Sequence, residues 1–449
     1  MKAPFLTRLK WTAYLAWHLR GQSRFAFQSL EKIERAQSKR IRRMVSYAYK
    51  YVPYYRETMD RLKLRPESFQ TASDLARLPI IETSYLQRNL ESVTSTEPRD
   101  LPDLEMLSSG SSGTPHKMRW NNAAIFENAA HAERERSIVA SIVGRFTHYR
   151  ESVIASPYAS ETEIQQLYRE RALLPSRIML QHQHLSILDS PETHLRQLNE
   201  FKPDIIRAYG SSIAYLFLYI EESGASFHRP KVIFYDAAEL PDNIRRLISD
   251  KYGIQVLSAY QAIEAFKIGF ECERHTGLHL NIDLYPVRIV DAEGVDVPHG
   301  ESGDVVVSNL VNRAIVLLNY RLGDIAHMLA TPCACGRTLP LLSFIDGRVD
   351  DRIMLPSGEL MPPQSVRLMF TGEQTIRQYQ VVQEEVDSFR VAIVGDDRPA
   401  LRERLEKKFA SGFGPNVRIK ISFVDSIPPG ASGKVRPVLS RVTSNGSAA

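Results

Sequence analysis

Between residues 150 and 262, short apolar runs alternate with amphipathic ones, and that rhythm leaves few architectures open to the chain. "ESVIASP" and "DIIRAYG" read as short buried strands, and "SSIAYLFLYIEESG" as a helix closed by Gly224. "KVIFYDAAE" is again strand-like, "PDNIRRLISDKYG" a helix with proline in its first turn and glycine after its end, and "IQVLSAY" a further strand. Strands separated by helices need crossover connections, so the expectation is an α/β fold layered around a parallel sheet.

A chain of 449 residues is longer than one core sustains, so more than one domain is expected. Upstream, "SLEKIERAQSKRIRRMVSYAYKYVPYY" carries apolar residues at helical spacing until Pro53. Past about residue 280, β-like segments such as "VRIVDAEG" and "GDVVVSNL" take over. The C-terminal part changes again: "FRVAIVG", a helix "RPALRERLEKKFA", "VRIKISFVD" and a Gly- and Pro-rich loop "SIPPGASGKVRP" make a compact α+β unit, followed by a disordered-looking "SNGSAA". The expected organisation is a large multi-layer α/β domain over 1–349 and a small α+β domain over 350–449. The first holds a helical segment over 1–70 and a β-rich part over about 270–345.

The net charge of +5 is small for this length, and no basic run interleaved with aromatics suggests nucleic acid; small acidic molecules are the expected partners. No stretch approaches the ~20 apolar residues of a membrane span. The apolar part of "MKAPFLTRLKWTAYLAWHLRGQ" is broken by Lys10 and His18 and no small-residue cleavage site follows, which argues against a signal peptide. Three cysteines, an odd number, argue against a disulfide framework and for a reducing compartment, so a cytoplasmic protein is expected. Oligomeric state stays open at this level.

Two segments carry chemistry. In "LEMLSSGSSGTPHKMRW", strand-like stretches bracket Ser108, Ser109, Gly110, Ser111, Ser112, Gly113 and Thr114. Backbone N–H groups in a glycine-permitted turn, together with hydroxyl donors, suit a phosphate. The spacing is not that of a Walker A loop, because no Gly-Lys-Ser/Thr follows. A flexible surface hairpin would show the same composition. The second segment is the cysteine set: Cys333 and Cys335 sit in a Pro- and Gly-bounded knuckle, and Cys272 is followed by His275 and His279. Three thiolates and one imidazole would complete the shell of a structural Zn²⁺, with inert buried cysteines as the alternative. Their polar, turn-like surroundings favour the metal.

Taken in order, "SSGSSGTP", "YDAAE", "AYQAIE", "NYRLGD", "DGRVDD" and "ASGKVRP" resemble the signature of the adenylate-forming superfamily of acyl-CoA ligases, nonribosomal-peptide adenylation domains and luciferases. "FECERHTGLHLNID" and "TPCACGR" resemble its phenylacetate-CoA ligase and coenzyme F390 synthetase-like branch, which includes capsule-biosynthesis relatives. The resemblance runs from about Ser108 to Arg436.

That resemblance implies ATP-dependent activation of a small carboxylic acid as an acyl-adenylate, with CoA the expected acceptor. It assigns the phosphate cradle to Ser108–Thr114, Mg²⁺ to Glu264, and adenine stacking to Tyr260. Ala237, Ala238 and Glu239 fall at the adenine edge, with Asp324 on the ribose hydroxyls and Arg348 on ribose or phosphate oxygens. His279, rather than His275, matches the branch's Gly-x-His position and joins Cys272, Cys333 and Cys335 as a zinc ligand. Asp350 matches the hinge of a mobile C-terminal lid. Lys434 would bridge carboxylate and α-phosphate. Tyr209, Phe234 and Phe266 fall near an acyl pocket, although the same rings would also suit a core. The chain departs from the usual Tyr-Gly-x-Thr/Ser-Glu motif at Gln261 and Ile263. An adenylating enzyme with an amine, alcohol or carrier-protein acceptor, and a non-catalytic nucleotide binder, are the alternatives.

Overall fold

The structure is a computed structural model that describes residues 3–107, 116–156, 160–173, 181–236, 240–370, 373, 375–414, 416–428 and 435–442. Its centre is a nine-stranded sheet in the order Met328–Leu329, Leu341–Leu342, Leu278–Leu280, Ala265–Glu271, Gln255–Ala262, Val232–Asp236, Ile205–Tyr209, Arg150–Ala155, Gln181–Ser186. The last five strands run parallel, as the alternating pattern requires. The first four add to them antiparallel, so the β-rich part begins as a continuation of the same sheet. A second, antiparallel sheet follows from Val287–Val290, Gly303–Val307, Tyr320–Ala326 and Gly347–Arg348.

Local sequence accounts for most boundaries. The helix Gly210–Ser223 ends at Gly224 with φ 64°, a left-handed conformation that glycine adopts without strain. Pro53 does not merely stop the preceding helix Leu30–Tyr51; it opens the next one, Pro53–Arg61, where its missing N–H is harmless. The helix expected over "PDNIRRLISDKYG" forms as Asp242–Arg246 and then widens into a π-helical turn, Leu247–Lys251. The edge strand Gln181–Ser186 is too polar to show a strand pattern.

Side-chain alternation divides the parallel strands between two cores. Val232 and Phe234 face the larger one, shared with the helices before residue 150 and with the β-rich part. Ile233 and Tyr235 face the other, beneath Gly210–Ser223. A third core belongs wholly to residues from Ile353 onward. There the sheet order is Arg418–Phe423, Ser388–Gly395, Ile376–Glu385, Val438–Ser440, packed on the helix Pro399–Phe413. The C-terminal unit meets the rest through Asn243, which donates to the Ile376 carbonyl at 3.2 Å, and through Arg352, whose Nη2 lies 2.5 Å from Asp304. Among the described residues no helix is long and apolar enough to cross a membrane.

One buried ion pair ties the helix Glu133–Val143 to the β-rich part. Arg134 donates to both oxygens of Asp283, at 2.7 and 2.9 Å, with the Phe25 ring 4.1 Å from its guanidinium. Burial alone would raise the Asp283 pKa, but Arg134 outweighs it and holds the group at about 2. An unfolded aspartate titrates near ~3.9. Asp283 therefore stabilises the fold above that pH, and its contribution is lost as pH falls toward about 2. Asp283→Asn is expected to lower stability at neutral pH by ~3–5 kcal/mol, since it leaves the Arg134 charge buried without its counter-ion. Denaturant melts at pH 7 and pH 3 check this: the gap between wild type and variant should narrow at the lower pH.

Candidate active site

The tight turn between Gln255–Ala262 and Ala265–Glu271 presents Glu264. Both neighbouring carbonyls are fixed, Ile263 by Trp120 Nε1 at 2.9 Å and Glu264 by Asn309 Nδ2 at 2.7 Å. The carboxylate is buried rather than solvated. Its Oε1 lies 2.8 Å from His116 Nε2 and accepts from the Tyr320 hydroxyl at 3.4 Å. His116 directly follows the serine-rich segment, whose flanking strands, Leu104–Leu107 and Lys117–Trp120, pair antiparallel. Ser108–Thr114 itself lies outside the described residues, as do Ala237, Ala238, Glu239 and Lys434. Sequence reasoning missed His116, whose only signal was adjacency to the serines.

Tyr260, Asp324 and Arg348 come together beside this turn. The Tyr260 hydroxyl donates to Asp324 Oδ2 at 2.8 Å, and Arg348 Nη1 donates to Oδ1 at 2.8 Å. Burial and the neighbouring Asp324 carboxylate raise the Tyr260 pKa well above its ordinary value, which keeps the phenol a donor. Asp324 and Arg348 are cross-strand partners. Their approach depends on Gly323, at φ 78°, where an added Cβ would sit 3.3 Å from the Arg348 guanidinium. Each carboxylate oxygen of Asp324 keeps a further lone pair, so the group can still accept from a diol. Asp350 follows Arg348 in the 3-10 turn Val349–Asp351, and Asp351 pairs with Arg436, two residues beyond Lys434.

The three candidate pocket rings separate. Phe266 is half-buried and stacks on Trp120 with centroids 3.9 Å apart. Tyr209 is half-buried at the end of its strand. Phe234 is only 2% exposed, with the Arg207 guanidinium 4.6 Å over its ring, and packs in the larger core. Strand parity, which sequence alone did not resolve, turns it inward.

On that face lies a charge network that sequence reading missed. Arg207 pairs with Glu151 and, through Nη2 at 2.6 Å, with Glu135; Lys267 Nζ is 3.3 Å from Glu135. Burial would raise the Glu135 pKa, but Arg207 and Lys267 bring it down to about 2. Gln261 donates its amide to Asp236, whose pKa is raised by burial. The amide at a position usually held by glycine thus has a definite partner.

The cysteine set also converges. Ligand atoms of Cys272, His279, Cys333 and Cys335 all lie within 4.8 Å of one another. Cys272 Sγ is 3.6 Å from Cys333 Sγ, and Cys335 Sγ is 3.3 Å from His279 Nε2. A Zn–S bond of ~2.3 Å sets tetrahedron edges of about 3.8 Å, so the four donors fit a small tetrahedral cation. Backbone N–H groups of Arg274 and Arg337 point at Cys272 and Cys335 sulfur, each at 3.4 Å, and would stabilise thiolates. Burial pushes the metal-free Cys272 thiol up to about 12 and the His279 imidazole down to about 4. The imidazole is therefore neutral and ready to ligate. His275 instead turns to Glu271, Nδ1 to Oε1 at 2.7 Å.

A mixed sheet of this order, followed by a small α+β unit, is the architecture of adenylate-forming CoA ligases. A 2-hydroxyisobutyryl-CoA ligase in its postadenylation state, in complex with R3-HIB-AMP, superposes with a TM-score of 0.73 at 18% identity, covering 92% of this chain and 90% of that one. The same ligase in its thioesterification state gives 0.60. In sequence, the chain is 24% identical over 442 residues to the phenylacetate-coenzyme A ligase of Thermus thermophilus, covering 91% of this chain and 96% of the relative. It is 23% identical over 434 residues to that of Escherichia coli, covering 89% and 93%. Residues 353–441 match the family described as the CapK C-terminal domain. Over nearly its full length the chain is thus similar to phenylacetate-CoA ligases, and in fold to a solved CoA ligase.

Proposed function

We propose that this protein is an AMP-forming acid–thiol ligase that activates a small carboxylic acid with ATP and passes the acyl group to CoA. The observation that carries the reading is the Tyr260–Asp324–Arg348 triangle set beside the buried Glu264–His116 pair, in a chain whose relatives over nearly its full length are CoA ligases. In the first step a carboxylate oxygen attacks the α-phosphorus, the bond to the bridging oxygen breaks, and pyrophosphate leaves. In the second, a thiolate attacks the acyl carbon and AMP departs with the bonding pair.

Charge builds on phosphate oxygens in the first step, and this chain meets it with a cradle, Ser108–Thr114, and a cation, Lys434. The buried carboxylate of Glu264 is the group that would hold Mg²⁺, which takes hard oxygen ligands and offsets phosphate charge. Asp324 would hold the ribose hydroxyls, with Tyr260 and Arg348 fixing its orientation, and Ala237, Ala238 and Glu239 would border the adenine. The set Cys272, His279, Cys333 and Cys335 would hold a structural Zn²⁺ that clamps the antiparallel end of the central sheet, away from the chemistry. Residues 350–449 form the lid in this reading, turning about Asp350 over the 1–349 domain.

Pyrophosphate release measured across aryl, aliphatic, hydroxy and amino acids, with and without CoA, tests the reading. Acid-dependent pyrophosphate and CoA-dependent AMP are expected; pyrophosphate without any effect of CoA would assign the acyl group to another acceptor. Asp324→Ala should weaken ATP use by ~1.5–3 kcal/mol in kcat/KM, the scale of hydrogen bonds to a charged group. Asp324→Asn, which keeps an acceptor for Tyr260, separates loss of ribose binding from loss of support. Unchanged ATP kinetics in both would remove Asp324 from the site.

A further inference from the structure

The helix Phe5–Leu19 packs one face against the protein and offers the other to solvent. Trp11 stacks on Phe126 with centroids 5.1 Å apart, and Arg8 donates Nη2 to the Ala172 carbonyl at 3.0 Å, which fixes the inner face. At 3.6 residues per turn, Phe5, Leu6, Leu9, Ala13, Ala16 and Trp17 fall within an arc of about 120° on the outer face. Their large side chains are bare: Phe5 is 65% exposed, Leu6 77%, Leu9 47% and Trp17 68%. At ~200 Å² per large apolar side chain this is on the order of 500 Å² of contiguous apolar surface, the upper end of what a monomer leaves uncovered.

Charge indicates what covers it. Residues 1–30 contain Lys2, Arg8, Lys10, Arg20 and Arg24 and no aspartate or glutamate at all. Lys10, exposed, flanks the apolar arc, and Arg20 and Arg24 are exposed just beyond the helix's C-terminal end. A protein partner of ordinary composition would not require so uniform a sign. An apolar helix face bearing Trp, Phe and Leu, in a segment whose own charges are all cationic, fits the boundary between acyl chains and anionic headgroups. From this we infer that the helix Phe5–Leu19 docks the protein on the surface of an anionic lipid bilayer, lying in its plane with Phe5, Leu6, Leu9 and Trp17 inserted. The helix is too short and too charged to span it. The assignment is independent of the proposed chemistry, since none of these residues touches the candidate active site.

Co-sedimentation of the full chain with vesicles, either phosphatidylcholine alone or phosphatidylcholine containing phosphatidylglycerol, tests it. Binding is expected to the anionic vesicles, to weaken with added salt, and to shift Trp17 emission to the blue, the other two tryptophans being buried already. Lys10→Gln with Arg20→Gln should weaken partition about 25-fold, at roughly fivefold per cation removed. Leu6→Glu with Trp17→Glu should abolish it. Both double variants alter only exposed positions, so circular dichroism and acid-dependent pyrophosphate release should match the wild type. Absence of binding to anionic vesicles, equal binding to neutral ones, or binding that survives Leu6→Glu with Trp17→Glu would each overturn the inference. So would sedimentation velocity showing a dimer that this variant dissolves while vesicle binding is absent, because the face would then cover a second copy of the chain.

Discussion

Lys434→Ala is expected to slow acyl-adenylate formation by at least ~100-fold, the effect of removing one preorganised electrostatic donor from a transition state. Attack of a carboxylate on a phosphate brings two anions together, so a cation between them counts most at that moment. In the thioester step the thiolate attacks a neutral acyl carbon rather than the phosphate, and Lys434→Ala should leave transfer from synthetic acyl-adenylate to CoA within a few-fold of wild type. Arg436, two residues on, is held by Asp351 next to the hinge candidate Asp350. That pair ties Arg436 to the junction about which the lid would turn. Asp350→Pro should give the opposite split, because a fixed φ at the junction permits one pose and blocks rotation into the other. Single-turnover measurements of both half-reactions in both variants decide the matter: equal losses in the two steps would mean that the C-terminal unit only supports the fold.

Loss of a zinc held by Cys272, His279, Cys333 and Cys335 is expected to have the largest effect on stability. Elemental analysis of native protein should find about one zinc per chain, and Cys335→Ser should lose it together with several kcal/mol of stability, since structural zinc binding is folding energy. A half-buried cysteine with no ligand role would cost far less on the same substitution. A strong chelator supplies the control: it should lower the melting temperature of wild type but not of Cys335→Ser. Zinc-free native protein with an ordinary melting curve would return the four residues to simple packing. A zinc here would tie the antiparallel strands together, because Cys272 follows Ala265–Glu271, His279 lies in Leu278–Leu280, and Cys333 and Cys335 sit between Met328–Leu329 and Leu341–Leu342.

What the sequence determined by itself is whatever short-range chemistry can encode. The alternation of "DIIRAYG", "SSIAYLFLYIEESG" and "KVIFYDAAE" sufficed for the parallel strands and their crossovers, because apolar period and glycine stops act within a few residues. The grouping of Tyr260, Asp324 and Arg348, and of the three cysteines with His279, was legible because each lies in a recognisable local motif. Tertiary structure alone decided the rest. His116 meets Glu264 across 148 residues, and Arg207 meets Glu135 and Glu151 from three separate elements. Polar partners brought together by strand order leave no periodic trace, as the polar edge strand Gln181–Ser186 also shows. Phe234 carries the same lesson on one side chain: a β-strand sends successive residues to opposite faces, and which face is core depends on the layers packed above and below it. The exposed face of Phe5–Leu19 was decided in the same way: the sequence shows an apolar run broken by Lys10 and His18, and only the packed fold showed which half of it was left bare.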